Sequence, residues 1–211
     1  MKYTKYRTFF CSENVIFLWQ RIFVSVHYLR FMDTPYRILF VCLGNICRSP
    51  AGENVMNALL AQNNITHIKV DSAGTANYHT GKGPDKRMAT ELAKRGFPNN
   101  GQARQFSKED FHKFDLIIPM DHSNTLQILS LAESNEDKQK VTPFTSYCSL
   151  FDYEEVPDPY YGEIDGFSEV IEIMEDGCKS ILEKITKEIN MAECSGFAPL
   201  TTSLPDKCST N

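Results

Sequence analysis

The chain has 211 residues, 42% hydrophobic and 23% charged, with a formal net charge of −5 and a pI near 5.6. This is the make-up of an ordinary globular protein long enough for one sizeable core, and its negative charge gives no general reason to bind nucleic acid or an anionic membrane. Any anion site has to be built locally. The seven cysteines scattered from Cys11 to Cys208 are an odd count without the spacing of a secreted disulfide framework, which points to reduced thiols and a cytoplasmic location.

Residues 1–31 carry Lys2, Lys5, Arg7, Arg21 and Arg30 against Glu13 alone. A membrane span needs ~20 apolar residues, whereas the run from Val15 to Trp19 is interrupted at Gln20 and Arg21. Stable membrane insertion is therefore not expected. The segment reads as an N-terminal extension ahead of Met32, with an Arg-bearing transit peptide as the second reading.

From Arg37 to Val41 the chain is a short apolar β-prone run, of the kind found in strands covered on both faces. A cysteine-bearing loop follows, and Ser49-Pro50 then reads as an N-cap with proline at the first helical position, ahead of Val55, Met56, Leu59 and Leu60 at helical spacing. The alternation repeats with a strand at Ile68 to Asp71, a helix from Asp85 to Arg95 ending at Gly96, and a strand from Asp115 to Ile118. A helix from about His122 to Leu131 precedes a short fourth strand at Val141 to Phe144. After Asp165, read as a cap, Phe167, Val170, Ile171, Met174, Cys178, Ile181, Leu182, Ile185 and Ile189 share one helical face.

Strands alternating with helices imply right-handed βαβ units. The expected fold is α/β: a three-layer, doubly wound four-stranded parallel sheet with helices on both faces. Ligands in such sheets bind beyond the strand C-termini, where the cysteine loop lies. The domains expected are an extension over 1–31, one domain over 32–190 and a disordered tail over 191–211, which lacks periodicity and is rich in Ser, Thr, Pro and Gly.

The loop Cys42-Leu43-Gly44-Asn45-Ile46-Cys47-Arg48-Ser49 joins a strand to a helix, with a thiol first and a guanidinium six positions later. If it curls around one centre, its backbone N–H groups and the helix N-terminus form a nest for a tetrahedral dianion, and Arg48 binds two oxygens through its planar fork. The same positive field favours a thiolate nucleophile at Cys42. Gly44 and Asn45 tolerate the left-handed backbone that a tight turn needs. Buried packing is the bland account of Cys42 and Cys47. It does not explain why thiol, glycine, arginine and Ser-Pro helix start occur together at one strand-to-helix junction.

Val41 to Pro50 resembles the signature of low-molecular-weight protein tyrosine phosphatases. The resemblance extends through Asp71-Ser72-Ala73-Gly74-Thr75, Ala103-Arg104-Gln105, Phe114-Asp115, Met120 to Asn124 and Asp158-Pro159-Tyr160-Tyr161-Gly162, and covers about Tyr36 to Asn190. It implies hydrolysis of phosphotyrosine, in proteins or small aryl phosphates, through a cysteinyl-phosphate on Cys42. Arg48 and the amides of residues 43–49 would bind the phosphoryl oxygens. It also implies that Asp158 is the general acid, that Ser72 and Asn45 hold the loop, that Asp121 is a supporting carboxylate and that Cys47 is a redox partner of Cys42. Tyr160 and Tyr161, with Tyr78 opposite, would wall the substrate cleft. No cofactor or metal is required, and the oligomeric state is not implied.

One departure is Gly101, where many relatives carry a histidine three residues before the arginine of Ala-Arg-Gln. The expectation is that a His–Asp pair with Asp121 is lost. Three further readings compete with a tyrosine phosphatase. An arsenate reductase of the same fold would need relay cysteines, yet none lies between Cys47 and Cys148. Protein-arginine phosphatases tend to carry threonine in place of Ile46. A silent phosphotyrosine-binding module would have lost the thiol or the acid. Zinc binding by Cys42 and Cys47 fails for want of further ligands at suitable spacing.

Overall fold

The computed structural model describes residues 35–162 and 164–192. The expected extension over 1–31 and all but the first two residues of the expected tail lie outside the described residues. Pro35–Thr186 forms one compact unit, and the end of the last helix from Lys187 belongs to the other.

Strand β1 (Tyr36–Cys42) is the middle of a three-stranded parallel sheet, between β2 (Ile68–Gly74) and β3 (Leu116–Pro119). Its register pairs Tyr36 with Ile68 through to Cys42 with Gly74 on one side, and Ile38 with Leu116 through to Val41 with Pro119 on the other. A strand paired on both edges has to be apolar on both faces, and Ile38, Leu39, Phe40 and Val41 are all fully buried. Leu39 and Val41 join a cluster with Ile117, Phe106, Phe111, Phe114 and Ile128. Phe40 points the other way, its ring 6.1 Å from that of Phe144.

The expected fourth strand is not formed. Val141 makes a single parallel bridge to Ile117, with Ile117 N–H donating to Lys140 O at 2.8 Å and Thr142 N–H to Ile117 O at 3.0 Å. Pairing stops there because Pro143 has no N–H and its φ of −56° turns the chain into a short 3₁₀ turn, Phe144–Tyr147.

Helix α1 (Arg48–Gln62) follows the cysteine loop at once. Ser49 is not its cap: Cys47 occupies that position, and Pro50 sits within the first turn, where an absent N–H costs no helical bond. Asn64, at φ 56°, ends it, with Ile65 N–H closing on Leu60 O at 2.9 Å. Gly52 lets the helix approach the sheet, since a Cβ there would lie 3.0 Å from the Phe40 ring. Helix α2 (Lys86–Lys94) is capped by Asp85 and ends as expected at Gly96, φ 76°. Helices α3 (Asp110–Lys113), α4 (His122–Leu131) and α5 (Asn135–Gln139) flank β3 in sequence.

The last helix, α6 (Ile164–Ala192), buries Phe167, Val170, Ile171, Met174, Cys178, Ile181, Leu182 and Ile185 of the expected apolar face, and the side chain of its last expected member, Ile189, lies outside the described residues. Asp165 lies inside its first turn, where a carboxylate complements the helix N-terminal charge, and not at the cap. Among the described residues no helix is long and apolar enough to cross a membrane.

Gly177 of α6 has the ring of Phe144 where a Cβ would go. In an open helix, Gly→Ala stabilises by roughly 0.5–1 kcal/mol. Here Phe144 is fully buried and has no room to give. Gly177→Ala is therefore expected to destabilise by about 1–3 kcal/mol in denaturant unfolding; a gain in stability would show that Phe144 moves freely.

Candidate active site

The site forms where β1 and β3 end. Cys42 is the last residue of β1 and nearly fully buried. Its Sγ lies 3.1 Å from Ser49 Oγ, which also donates to Ala73 O at 3.1 Å. This is why Ser49 does not cap α1: its hydroxyl faces back toward the thiol and β2.

Asn45 takes the left-handed backbone, φ 53°, at the tip of the loop. Its Nδ2 donates to Ser49 Oγ at 3.0 Å and Ser72 Oγ at 2.8 Å, and its Oδ1 accepts Arg104 N–H at 2.9 Å. The expected Asn45–Ser72 contact is present. Gly74 is required by close approach, since a Cβ there would meet Leu43 O at 2.8 Å and Asn45 N at 3.1 Å.

Arg48, the first residue of α1, is 3% exposed. Nη1 donates to Asp121 Oδ2 at 2.7 Å and to Val156 O at 3.1 Å, and Nη2 donates to Asp158 Oδ2 at 3.0 Å. Asp121 is well placed for this role: it caps α4 through Asn124 N–H at 2.6 Å with Oδ1, leaving Oδ2 for the guanidinium. Asp158 caps the 3₁₀ turn Pro159–Tyr161 by accepting Tyr160 N–H at 3.1 Å. A cavity of about 230 Å³ opens beside Leu43, Arg48, Asp121 and Asp158. The structure thus forms two hydrogen-bonded groups, Cys42 with Ser49, Asn45 and Ser72, and Arg48 with Asp121 and Asp158, which adjoin through the neighbouring residues Arg48 and Ser49.

The expected wall residues lie on two segments, Tyr78 after β2 and Tyr160 and Tyr161 in the 3₁₀ turn Pro159–Tyr161. Tyr160 and Tyr161 meet edge to face at 4.9 Å, with Tyr161 almost wholly exposed. Tyr78 is 72% exposed, and the ring that its loop presents to Tyr160 is the next one, His79, at 6.4 Å. His79 also packs 3.0 Å from the position a Gly44 Cβ would take. Sequence reading missed it because adjacent loop residues point in different directions and no periodicity marks which one turns in.

Two more groups were not anticipated. Arg87 forks onto Asp85 and donates from Nη1 to Tyr160 O at 3.2 Å. Glu53 accepts Ser72 Oγ–H at 2.6 Å. A Cβ on Gly101, φ 119°, would lie 3.4 Å from Glu53 Oε2. A side chain at position 101 would therefore face Glu53.

Cys47 is buried, and that burial, followed by the charges of Asp85, Cys42 and Asp158, pushes its thiol far up, so it is a neutral thiol at pH 7. Arg87 holds the Asp85 carboxyl below the usual range. Among the described residues no group of three or more His, Cys, Asp or Glu side chains is arranged to hold a metal ion.

The sequence model of the family described as Low molecular weight phosphotyrosine protein phosphatase matches residues 37–191. The chain belongs to this family. A protein of Synechocystis sp. whose name carries the words low molecular weight protein-tyrosine-phosphatase is 49% identical over 154 residues, covering 72% of this chain and 98% of the relative. A crystal structure of a protein tyrosine phosphatase from Entamoeba histolytica is similar with a TM-score of 0.70 at 40% identity, over 72% of this chain and 97% of that one. A crystal structure of a Drosophila arginine phosphatase is similar at 31% identity and a TM-score of 0.66, over 70% of this chain and 96% of that one.

Burial, outweighing the Ser72 hydrogen bond, holds the Glu53 carboxyl above the ordinary glutamate range. The folded state then binds more protons than the unfolded one in the window that opens near pH 4.5, so stability from this group falls as pH rises through it. Glu53→Gln keeps an acceptor for Ser72 and removes the titration. Its Tm relative to wild type is expected to climb as pH rises from the ordinary glutamate value of 4.5. A flat difference would mean that Glu53 titrates like a free carboxyl.

Proposed function

We propose that this chain is a protein tyrosine phosphatase, a phosphoric monoester hydrolase acting on phosphotyrosine in proteins and on small aryl phosphates. The observation that carries this reading is a buried guanidinium, Arg48, joined to Asp158 beside a loop that begins with the Cys42 thiol.

In this mechanism the Cys42 thiolate attacks phosphorus and the P–O bond to the tyrosyl oxygen breaks. The Arg48 fork and the amides of residues 43–49, Leu43 to Ser49, bind the equatorial oxygens. A tyrosyl leaving group has a pKa of about 10, so Asp158 donates its proton to the departing oxygen. Water then attacks the cysteinyl-phosphate, gives its proton to Asp158 and restores the thiolate with release of phosphate. Nη2 of Arg48 is bound to Asp158 in this structure. A phosphoryl oxygen competes for that donor and frees Asp158 to face the leaving group. Asp121 keeps Arg48 aimed throughout, while Asn45 and Ser72 hold the loop. Tyr160 and Tyr161, with Tyr78 and the neighbouring His79, flank the ring of the substrate.

The same reading takes residues 32–190 as the catalytic domain and residues 1–31 as an extension outside it, with helices covering both faces of the sheet in three layers. It places the enzyme in the cytoplasm, acting without a metal or cofactor. Likeness to the Drosophila arginine phosphatase supports a second substrate, phosphoarginine. Ile46, an apolar side chain in the loop, weighs toward phosphotyrosine.

Turnover of p-nitrophenyl phosphate without added metal should fall on the order of 10³-fold or more in Cys42→Ser, and phosphotyrosine peptides should be cleaved faster than phosphoarginine peptides. An equally active serine variant would sink the mechanism.

Cys47 is proposed as the partner that protects Cys42 from oxidation. Peroxide converts the Cys42 thiolate to a sulfenic acid, and the Cys47 thiol condenses with it to a disulfide and water, avoiding the irreversible sulfinic and sulfonic acids. After peroxide and then dithiothreitol, wild type should recover activity and Cys47→Ser should largely fail to. Equal recovery would leave Cys47 with a packing role alone.

A further inference from the structure

We infer that Arg87 is a positioning residue for Asp158, fixing the acid loop to the phosphate loop; this rests on the phosphatase reading above. Arg87 lies in the first turn of α2, outside every motif that the family resemblance supplied. Its Nε and Nη2 grip Asp85 Oδ1 and Oδ2 at 3.1 and 3.0 Å, a bidentate fork that leaves Nη1 for Tyr160 O at 3.2 Å. The guanidinium carbon also lies 5.4 Å from the centroid of the Tyr160 ring and 4.6 Å from that of Phe167. Both the backbone and the ring of Tyr160 are thereby held.

Each end of this clamp touches a catalytic element. Tyr160 N–H donates to Asp158 Oδ1 at 3.1 Å. At the other end, Asp85 N–H donates to Ile46 O at 2.8 Å, inside the loop between Cys42 and Arg48. The path Ile46, Asp85, Arg87, Tyr160, Asp158 therefore sets the separation between nucleophile and acid. It matters most during turnover. Once a phosphoryl group takes Nη2 of Arg48, the direct Arg48–Asp158 bond is lost, and the Tyr160 N–H is what still orients Asp158.

A purely local role, an arginine pairing with the cap of its own helix, accounts for the fork onto Asp85. It does not account for Nη1 or for the two aromatic faces, which lie on other elements. Lysine has one point charge and cannot serve the carboxylate and the carbonyl in the same geometry. The Arg87 side chain is 40% exposed and that of Asp85 15%, so on removal of the guanidinium water reaches Asp85, which keeps the backbone N–H of residue 87.

The test compares kcat/KM for phenyl phosphate with that for p-nitrophenyl phosphate, whose leaving phenol is the stronger acid. Arg87→Met is expected to lose at least ~10-fold on phenyl phosphate and less than ~3-fold on p-nitrophenyl phosphate, a part of what general acid catalysis supplies. In an Asp158→Asn background the same substitution should cost less than ~2-fold on either ester, because it acts through that carboxyl. Arg87→Lys should lose nearly as much as Arg87→Met, and full retention by lysine would overturn the clamp. Inhibition by inorganic phosphate should stay within ~2-fold of wild type, as expected when the loop itself is intact; a parallel loss of phosphate affinity would overturn the assignment to Asp158. If Asp158→Asn itself failed to steepen the leaving-group dependence, the acid assignment would fall. With that control behaving, an Arg87→Met enzyme slowed equally on both esters, or not slowed, overturns this inference alone.

Discussion

A guanidinium that is 3% exposed persists in a fold only when its donors are matched, because a desolvated charge without partners costs several kcal/mol. Arg48 meets that condition with three acceptors from two segments that are distant in sequence: Asp121 after β3, and Val156 and Asp158 in the segment before α6. The sheet order makes this possible. β1 lies between β2 and β3, so the loop leaving β1 opens beside the end of β3, where Asp121 caps α4. The segment carrying Val156 is tied to the same place, with Val156 N–H donating to Met120 O at 2.9 Å. Burying one cation thus draws the segment carrying Asp158 onto the end of the loop that starts at Cys42.

The loop in front of Arg48 has a different requirement. Its amides can face one centre only if the tip turns left-handed, and the residue there is Asn45, not Gly44. Asparagine tolerates that backbone better than other residues with a Cβ but does not favour it. The side chain supplies the difference through Ser49, Ser72 and Arg104 N–H. Gly74 completes the arrangement by letting β2 end in contact with the loop backbone, where any side chain would collide with Leu43 O.

Much of this was legible in the sequence, and the parts that were not share a cause. β1, α2, α4 and the buried face of α6 follow from local pattern. The fourth strand failed because the β-prone residues at Val141 and Thr142 were weighed without the donor that Pro143 lacks. Ser49 looked like a cap because Ser-Pro is a good local start signal, yet a long-range acceptor, Ala73 O, and the thiol claimed its hydroxyl. Family resemblance pointed to Asp158, but nothing local marked His79, Arg87 or Glu53. Each earns notice only through a contact across loops: to Tyr160 for the first two and to Ser72 for the third.

Counting hydrogens around Ser72 and Ser49 shows what that third contact does. A serine hydroxyl has one hydrogen and two lone pairs. Ser72 spends its hydrogen on Glu53 Oε2, which leaves its oxygen to accept from Asn45 Nδ2. Asn45 Nδ2 also donates to Ser49 Oγ, so Ser49 keeps its own hydrogen for another acceptor. Two stand within reach, Ala73 O and Cys42 Sγ, each at 3.1 Å. A neutral thiol is a weak acceptor and leaves that hydrogen on the carbonyl, whereas a thiolate attracts it as a charge-assisted bond. The direction of every hydrogen bond from Glu53 inward therefore leaves one mobile donor beside the Cys42 thiol. A group at position 53 that can only donate would occupy the second lone pair of Ser72 Oγ and leave the buried Ser72 hydrogen without the acceptor that Glu53 supplies.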